Sequence, residues 1–156
     1  QQPAPPASPQ SSSQASSAAV QPYTPTTSMI DRTAFIADAN AIIANSGQIV
    51  SLLNFGASTP DSVKVDRINS AIALDRSSGD VTKLRGRVNS AGITNGAYME
   101  AVELAESGVS TISVGVTFIG YWAKNHSRID DLNLGLGNIN EGSNTMLSLV
   151  QKINSL

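Results

Sequence analysis

The sequence predicts an all-α domain, a compact bundle of five to six helices preceded by a disordered tail. Three observations support this prediction. Residues 1–27 are polar and proline-rich, residues 28–156 repeat their apolar side chains at steps of three and four, and no strand–helix alternation suggests a nucleotide-binding sheet. The chain has 156 residues, so the part after the tail has the size of one ordinary domain.

The tail, residues 1–27, contains no charge, no glycine and six of the seven prolines. Its prolines favour extended polyproline conformations. The serine, glutamine and alanine residues between them offer too little apolar surface to offset the entropy lost on ordering. We therefore expect a flexible linker or tether, of a composition that can also carry O-linked sugar.

The first helix is predicted to start at Ser28, because Ser28 followed by Asp31 has the spacing of a capping box. Ser46 and Gly47 are expected to break or bend this helix, and Gly56 is expected to end it. Its apolar side chains at helical intervals are Phe35, Ile36, Ala39, Ile42, Ile43, Ile49, Val50 and Leu53.

Two shorter helices are predicted next. Thr59 can cap the second helix, with Pro60 at the first helical position and Asp61 at the positive end of the dipole. Asp80 can cap the third helix, which Gly92 ends. The inward positions are Val65, Ile68 and Ile72 in the second helix and Val81, Leu84, Val88 and Ala91 in the third.

The fourth helix is predicted to open near residues 94–96 and becomes apolar nearly all round from Gly108, which is typical of a central helix. A competing signal is that residues 112–118 alternate with period two and are rich in β-branched side chains, as strands are. We favour the helix because the upstream helical pattern runs directly into this segment. Its single apolar face consists of Tyr98, Val102, Ala105, Val109, Ile112, Val116 and Ile119.

The last helix is predicted to start at Ser127, with Asp130 three residues later. The glycines at 135, 137 and 142 weaken its middle, so the pattern allows one helix or two. The apolar positions at helical steps are Ile129, Leu132, Leu136, Ile139, Met146, Val150 and Ile153.

Residues suited to catalysis or metal binding are scarce. His126 is the only histidine and there is no cysteine, which makes a zinc site improbable. A serine triad built on His126 stays open, yet no Gly-x-Ser-x-Gly elbow accompanies it. Residues 131–142 briefly resemble a calcium loop, but Leu136 and Gly142 occupy positions that require glycine and glutamate. We expect a non-enzymatic protein with no catalytic residue, cofactor or metal site.

The aromatic and β-branched cluster of residues 109–122 permits two interpretations. The first is a buried core helix with its aromatic side chains at the rim. The second is a helix that lines a cavity or groove for an apolar ligand such as an acyl chain. The residues that would line it are Val109, Ile112, Val116, Ile119 and Trp122.

Asn125-His126-Ser127 is the one N-glycosylation sequon, so Asn125 is a candidate site for a sugar. The chain begins at Gln1 without methionine, from which we expect either a removed signal peptide or a piece of a longer protein. A native cytosolic N-terminus is the least favoured interpretation, and we expect a secreted, extracellular protein.

Charge and hydropathy exclude several partners. The net charge of −2 supplies no field for nucleic acid. Lys83, Arg85 and Arg87 are interpreted as a solvated helix surface. The longest apolar run, residues 109–122, falls short of the roughly 18–20 residues of a membrane span, so we expect no transmembrane helix.

The tail, with QSSSQASSAAV after QQPAPPASP, resembles the linkers between helical repeat modules of spider silk proteins. The folded part is loosely similar to the fungal hydrophobic-surface-binding and cell-wall galactomannoprotein family. The first resemblance implies a structural module that self-associates with neighbouring copies. The second implies a secreted domain that wraps apolar ligands.

The combined hypothesis is a non-enzymatic extracellular module of a fibrous or adhesive assembly, in which residues 112–118 pair as strands after drying or shear. The alternative is a secreted protein that binds a fatty acid or an apolar surface. An enzyme is the third interpretation.

Overall fold

A computed structural model describes residues 1–7, 29–76, 80–91 and 96–156 of the chain. It confirms the all-α prediction, since these ranges contain five helices and no strand. The helices are α1 (Arg32–Leu53), α2 (Asp61–Asp75), α3 (Asp80–Ser90), α4 (Gly96–Lys124) and α5 (Ile129–Asn154). Of the predicted tail, residues 1–7 are exposed and without regular secondary structure. Residues 8–28, including the predicted start at Ser28, and Gly92 lie outside the described residues.

The first helix starts at a different cap from the predicted one and ends at Leu53, before the predicted stop at Gly56. Asp31 is the N-cap itself, because its side chain accepts a hydrogen bond from the Ala34 amide at 3.0 Å. Of the break or bend predicted at Ser46 and Gly47, the break is wrong, since α1 is continuous through both. Buried side chains on either side, Ile42 and Ile49, hold this part of the helix against the core.

Two other predicted caps are wrong. Thr59 does not cap α2, whose N-cap is Pro60 without a side-chain hydrogen bond. Ser127 does not cap α5, which follows Arg128, because its hydroxyl donates to Asn125 Oδ1 at 2.7 Å. The Thr59 backbone amide bonds within its own turn, to the Gly56 carbonyl at 3.0 Å.

The five helices form two layers. In one layer α4 and α5 lie antiparallel and share the most extensive interface in the bundle. In the other, α1 packs against both members of this pair, while α2 and α3 pack against α4. The α4–α5 connection is a tight turn, in which the Arg128 amide donates to the Asn125 carbonyl at 3.0 Å.

Four glycines let the backbones of α4 and α5 approach unusually closely. A Cβ atom added at Gly115 would lie 2.8 Å from the Gly135 carbonyl oxygen, and one added at Gly135 would lie 2.7 Å from the Gly115 oxygen. About two helical turns further along α5, a Cβ added at Gly142 would lie 3.1 Å from the Gly108 carbonyl oxygen. We call this contact, with its pairs Gly108–Gly142 and Gly115–Gly135, the glycine seam.

Each seam glycine is covered by a large apolar side chain of the facing helix. Ile112 covers Gly142 and Ile119 covers Gly135, each with an atom 2.5 Å from the position of a built Cβ. The return contacts are Ile139 on Gly115 at 2.9 Å and Met146 on Gly108 at 2.6 Å.

These contacts reveal an internal repeat. Residues 108–119 read GVSTISVGVTFI and residues 135–146 read GLGNINEGSNTM, so each helix places a large apolar residue four positions after a glycine. The alternating steps of three and four are those of a helix-pair seam. This explains why α5 is one helix and not two, since Gly135 and Gly142 are packing positions and not breaks.

The seam predicts opposite effects for two glycines. Gly115→Ala should lower the free energy of unfolding by about 1–3 kcal/mol, because its methyl group meets backbone that cannot rotate away. Gly137→Ala should raise it by about 0.5–1 kcal/mol, because Gly137 is exposed with nothing within 4 Å and alanine is the better helix former. Urea unfolding followed by circular dichroism measures both, and equal stability of the two variants would contradict the seam.

Candidate functional site

The only histidine lies at the corner where α4 ends. Its ring stacks on Trp122 with centroids 4.5 Å apart and an interplanar angle of 12°. His126 Nδ1 is 3.7 Å from Asp61 Oδ2 at the start of α2, and the His126 side chain is 48% exposed. The neighbouring Ser127 donates its hydroxyl to Asn125 and not to the imidazole. The histidine therefore meets a carboxylate, but this serine does not supply the nucleophile–base contact of a triad.

Trp122 itself is 2% exposed, and its indole N–H has no hydrogen-bond acceptor among the described residues. The ammonium group of Lys64 lies 5.6 Å from the centre of its ring. Trp122 thus joins the end of α4 to the first turns of α2.

The predicted sugar site lies in the α4–α5 turn. Asn125 is exposed, and its side-chain oxygen accepts hydrogen bonds from the Ser127 amide at 3.1 Å and the Ser127 hydroxyl at 2.7 Å. Such local bonding is typical of an Asx turn. Glycosylation of Asn125 stays a prediction, at an accessible position.

Residues 131–142, which resemble a calcium loop in sequence, are helical and belong to α5. Across the described ranges, no group of three or more histidine, aspartate or glutamate side chains is placed to hold a metal ion.

The α3 cations are partly solvated, as predicted, with the Lys83 side chain 60% exposed, but they also join α3 to its neighbours by ion pairs. Arg87 and Lys83 both bind Asp38 of α1, with Lys83 Nζ 3.0 Å from Asp38 Oδ1. Arg85 makes a two-point contact with Glu106 of α4, both bonds being 2.5 Å long. The ion pairs thus connect α3 to α1 and to α4.

These ion pairs lower the pKa of both carboxyl groups. The hydrogen bond from Arg87 lowers the pKa of Asp38, against the opposing effect of burial and with further help from Lys83. The hydrogen bond from Arg85 likewise lowers the pKa of Glu106. Sequence reasoning missed Asp38, although its position between Phe35 and Ile42 on the buried stripe signals an acid that needs a partner.

The five residues predicted to line an apolar site are divided by the structure. Ile112, Val116, Ile119 and Trp122 are buried among the side chains of the core. Val109 is half-buried and lines a cleft of about 340 Å³ between α3 and α4, together with Val81 and Val114. Val116, although 2% exposed, lies at the edge of a second cleft of about 220 Å³ between α2 and α4.

The segment with competing helix and strand patterns is helical, which confirms the predicted helix. Within α4 its alternating residues separate, so that Ile112 and Val116 are buried while Val114 is 44% exposed. Ile112 rests on Gly142 of the seam. The preference of β-branched residues for strands is overridden here by packing.

By length and composition alone, α4 is apolar enough to cross a membrane, and it is the one such helix in the described ranges. In the structure it packs against all four other helices.

Comparison of the chain with protein-family models, with curated proteins and with solved structures finds no match. The two resemblances suggested by the sequence therefore stay hypotheses.

The Asp38 ion pairs predict a pH-dependent stability. The folded pKa of Asp38 lies below its unfolded value of about 3.9, so their contribution is present above pH ~4 and is lost as the pH falls through the folded pKa. Asp38→Asn should therefore lower the free energy of unfolding by roughly 1–2 kcal/mol at pH 7, with a deficit that narrows below pH 4.

Urea unfolding at several pH values measures this deficit. Asp66→Asn, at an exposed position of α2, is the matched control and should change stability little at any pH. A deficit for Asp38→Asn that is the same at pH 3 as at pH 7 would show that the charge of Asp38 is not what stabilises the α1–α3 contact.

Proposed function

We propose that this chain is a non-enzymatic structural module of an extracellular fibrous or adhesive assembly. The tail of residues 1–27 acts as an extensible tether, and the helical bundle is the soluble folded unit. The observation that carries this proposal is that residues 112–118, a strand-prone segment, are held as helix by the glycine seam.

Neither helix of the seam has a strong helical preference of its own. In α4 the stretch from Ser107 to Ala123 is dominated by valine, isoleucine, threonine, serine and glycine. The middle of α5 carries three glycines and also Asn133, Asn138, Asn140 and Asn144. Such residues favour helix weakly, so each helix depends on the other for its stability. If α4 and α5 separated, both would therefore lose their helical conformation.

Release would expose a segment suited to pairing between copies. Residues 112–118 alternate with period two, and no charged residue lies between Ser107 and Ala123. Low charge, β-branched side chains and the absence of proline favour intermolecular strand pairing. In this proposal the folded bundle stores the segment in soluble form until drying or shear opens the seam.

A non-enzymatic role is supported by the surroundings of His126, which lies about half exposed beside Asp61 and away from the hydroxyl of Ser127. A soluble, non-transmembrane role for α4 is supported by the packing of all four other helices against it.

Infrared spectra before and after shear test the proposal. Wild-type protein should lose helix signal and gain strand signal. Val114→Lys should fold normally, because Val114 is exposed in the folded bundle. It should resist the conversion to strand, because a lysine within residues 112–118 opposes strand pairing between copies. Val63→Lys is the matched control, since Val63 on α2 is 43% exposed against 44% for Val114, and it should convert like wild type.

Wild-type protein that stays helical and soluble under shear would refute the storage mechanism. Equal resistance of the Val63 and Val114 variants would assign the effect to surface charge in general and not to residues 112–118.

The alternative function is a secreted lipid- or apolar-surface-binding protein. The cleft beside Val109, of about 340 Å³, supports it because ligand pockets commonly measure about 300–1,000 Å³. Native mass spectrometry of the protein from its source should then show a bound fatty acid. A ligand-free protein that also takes up none from added oleate would count against this alternative.

A further inference from the structure

We propose that a second copy of this chain docks where α1 and α5 meet, each copy inserting Leu147 into the α1–α5 cleft of the other. This inference builds on the proposed structural role, for which copies must associate, and it names the surface through which they do so.

The receiving cleft is small and apolar. It has a volume of about 140 Å³ and is lined chiefly by Ile43 and Val50 of α1 and by Met146 and Val150 of α5. A cavity of about 150 Å³ holds a benzene-sized group, whereas ligand pockets start near 300 Å³. The cleft therefore fits one apolar side chain and not an acyl chain.

The inserted side chain is present at the edge of the same cleft. Leu147 is 59% exposed, more than any other large apolar residue in the five helices. A two-fold interface pairs each surface with its own copy, so it needs a projection and a matching recess on one face. Leu147 and the cleft beside it meet this requirement.

Gly47 leaves the α1 side of the cleft open to an approaching side chain. It lies on the exposed side of α1, lines the cleft, and has nothing within 4 Å of a built Cβ. A large side chain from outside can therefore approach the α1 backbone. The glycine seam inside the bundle uses the same combination of a large apolar residue and a facing glycine.

Charge favours a second copy over a charged partner. In α1 no residue from Ala39 to Leu53 is ionisable, and in α5 the only charged residue between Leu132 and Gln151 is Glu141. Glu141 lies about 120° around the helix from Leu147. A two-fold contact places like groups near one another, so a face without charge avoids repulsion between copies. The same face offers no cation to nucleic acid or to an anionic membrane.

Analytical ultracentrifugation of the full chain over a wide concentration range tests the proposal. Wild-type protein should show a monomer–dimer equilibrium, and Leu147→Glu should weaken dimerisation at least tenfold. Leu134→Glu is the control and should change the dimer Kd less than twofold. Leu134 lies on the same helix with a similar exposure of 51%, about 140° around it from Leu147.

Circular dichroism establishes that each variant is folded. Leu147→Asn, a smaller change without charge, should also weaken the dimer. Gly47→Leu should do so as well, because it fills the approach to the recess from the receiving side.

Three results would overturn the proposal. The first is a wild-type chain that stays monomeric up to millimolar concentration. The second is equal weakening by Leu147→Glu and Leu134→Glu. The third is binding of wild-type monomers, but not of Leu147→Glu, to phosphatidylcholine vesicles, which would assign the face to a lipid surface.

The dimer and the storage mechanism are tested by different measurements, so either one can be rejected without the other. A chain that converts to strand under shear but never dimerises in solution would reject the α1–α5 face and keep the storage mechanism. A chain that dimerises through Leu147 but stays helical under shear would do the reverse.

Discussion

The close approach of α4 and α5 at the glycine seam is the constraint on which the rest of the bundle depends. Because backbone meets backbone at Gly115 and Gly135, the large side chains beside them pack over the facing helix and seal the contact. The resulting pair is the platform on which α1, α2 and α3 rest. It also explains how two helices rich in residues that favour helix weakly are stable, since their conformation is determined by each other and not by local preference.

The sequence predicted the helices well where apolar spacing was regular. The inward faces of α3 and α4 are buried largely as expected, including Leu84, Val88 and Val102. The helix caps were predicted poorly because Thr59 and Ser127 suit both a cap and a turn, and the choice depends on partners in the folded chain. Gly135 and Gly142 left open whether α5 is one helix or two because a glycine lowers helix propensity, and only the matching glycines in α4 reveal their packing role.

The candidate sites were less predictable because they depend on residues far apart in sequence. Asp38 meets Arg87 only when α3 folds back on α1, so the cations appeared to be a solvated surface. Residues 109–122 could equally have been core or groove, since both demand an apolar helix. The recess on the α1–α5 face combines Gly47 with Leu147, and no local pattern reports that these two lie together. The long uncharged stretches of α1 and α5 are visible in the sequence, but only the structure shows that they border the same cleft.

Trp122 gives the molecule a built-in optical reporter. It is the only tryptophan in the chain, and it lies between the end of α4 and the first turns of α2. Its indole N–H is shielded from water. Any movement of α4 away from α2 would hydrate that group and shift the intrinsic fluorescence to longer wavelength. Opening of the bundle can therefore be followed in real time on unlabelled material, even within a drying film or a drawn fibre.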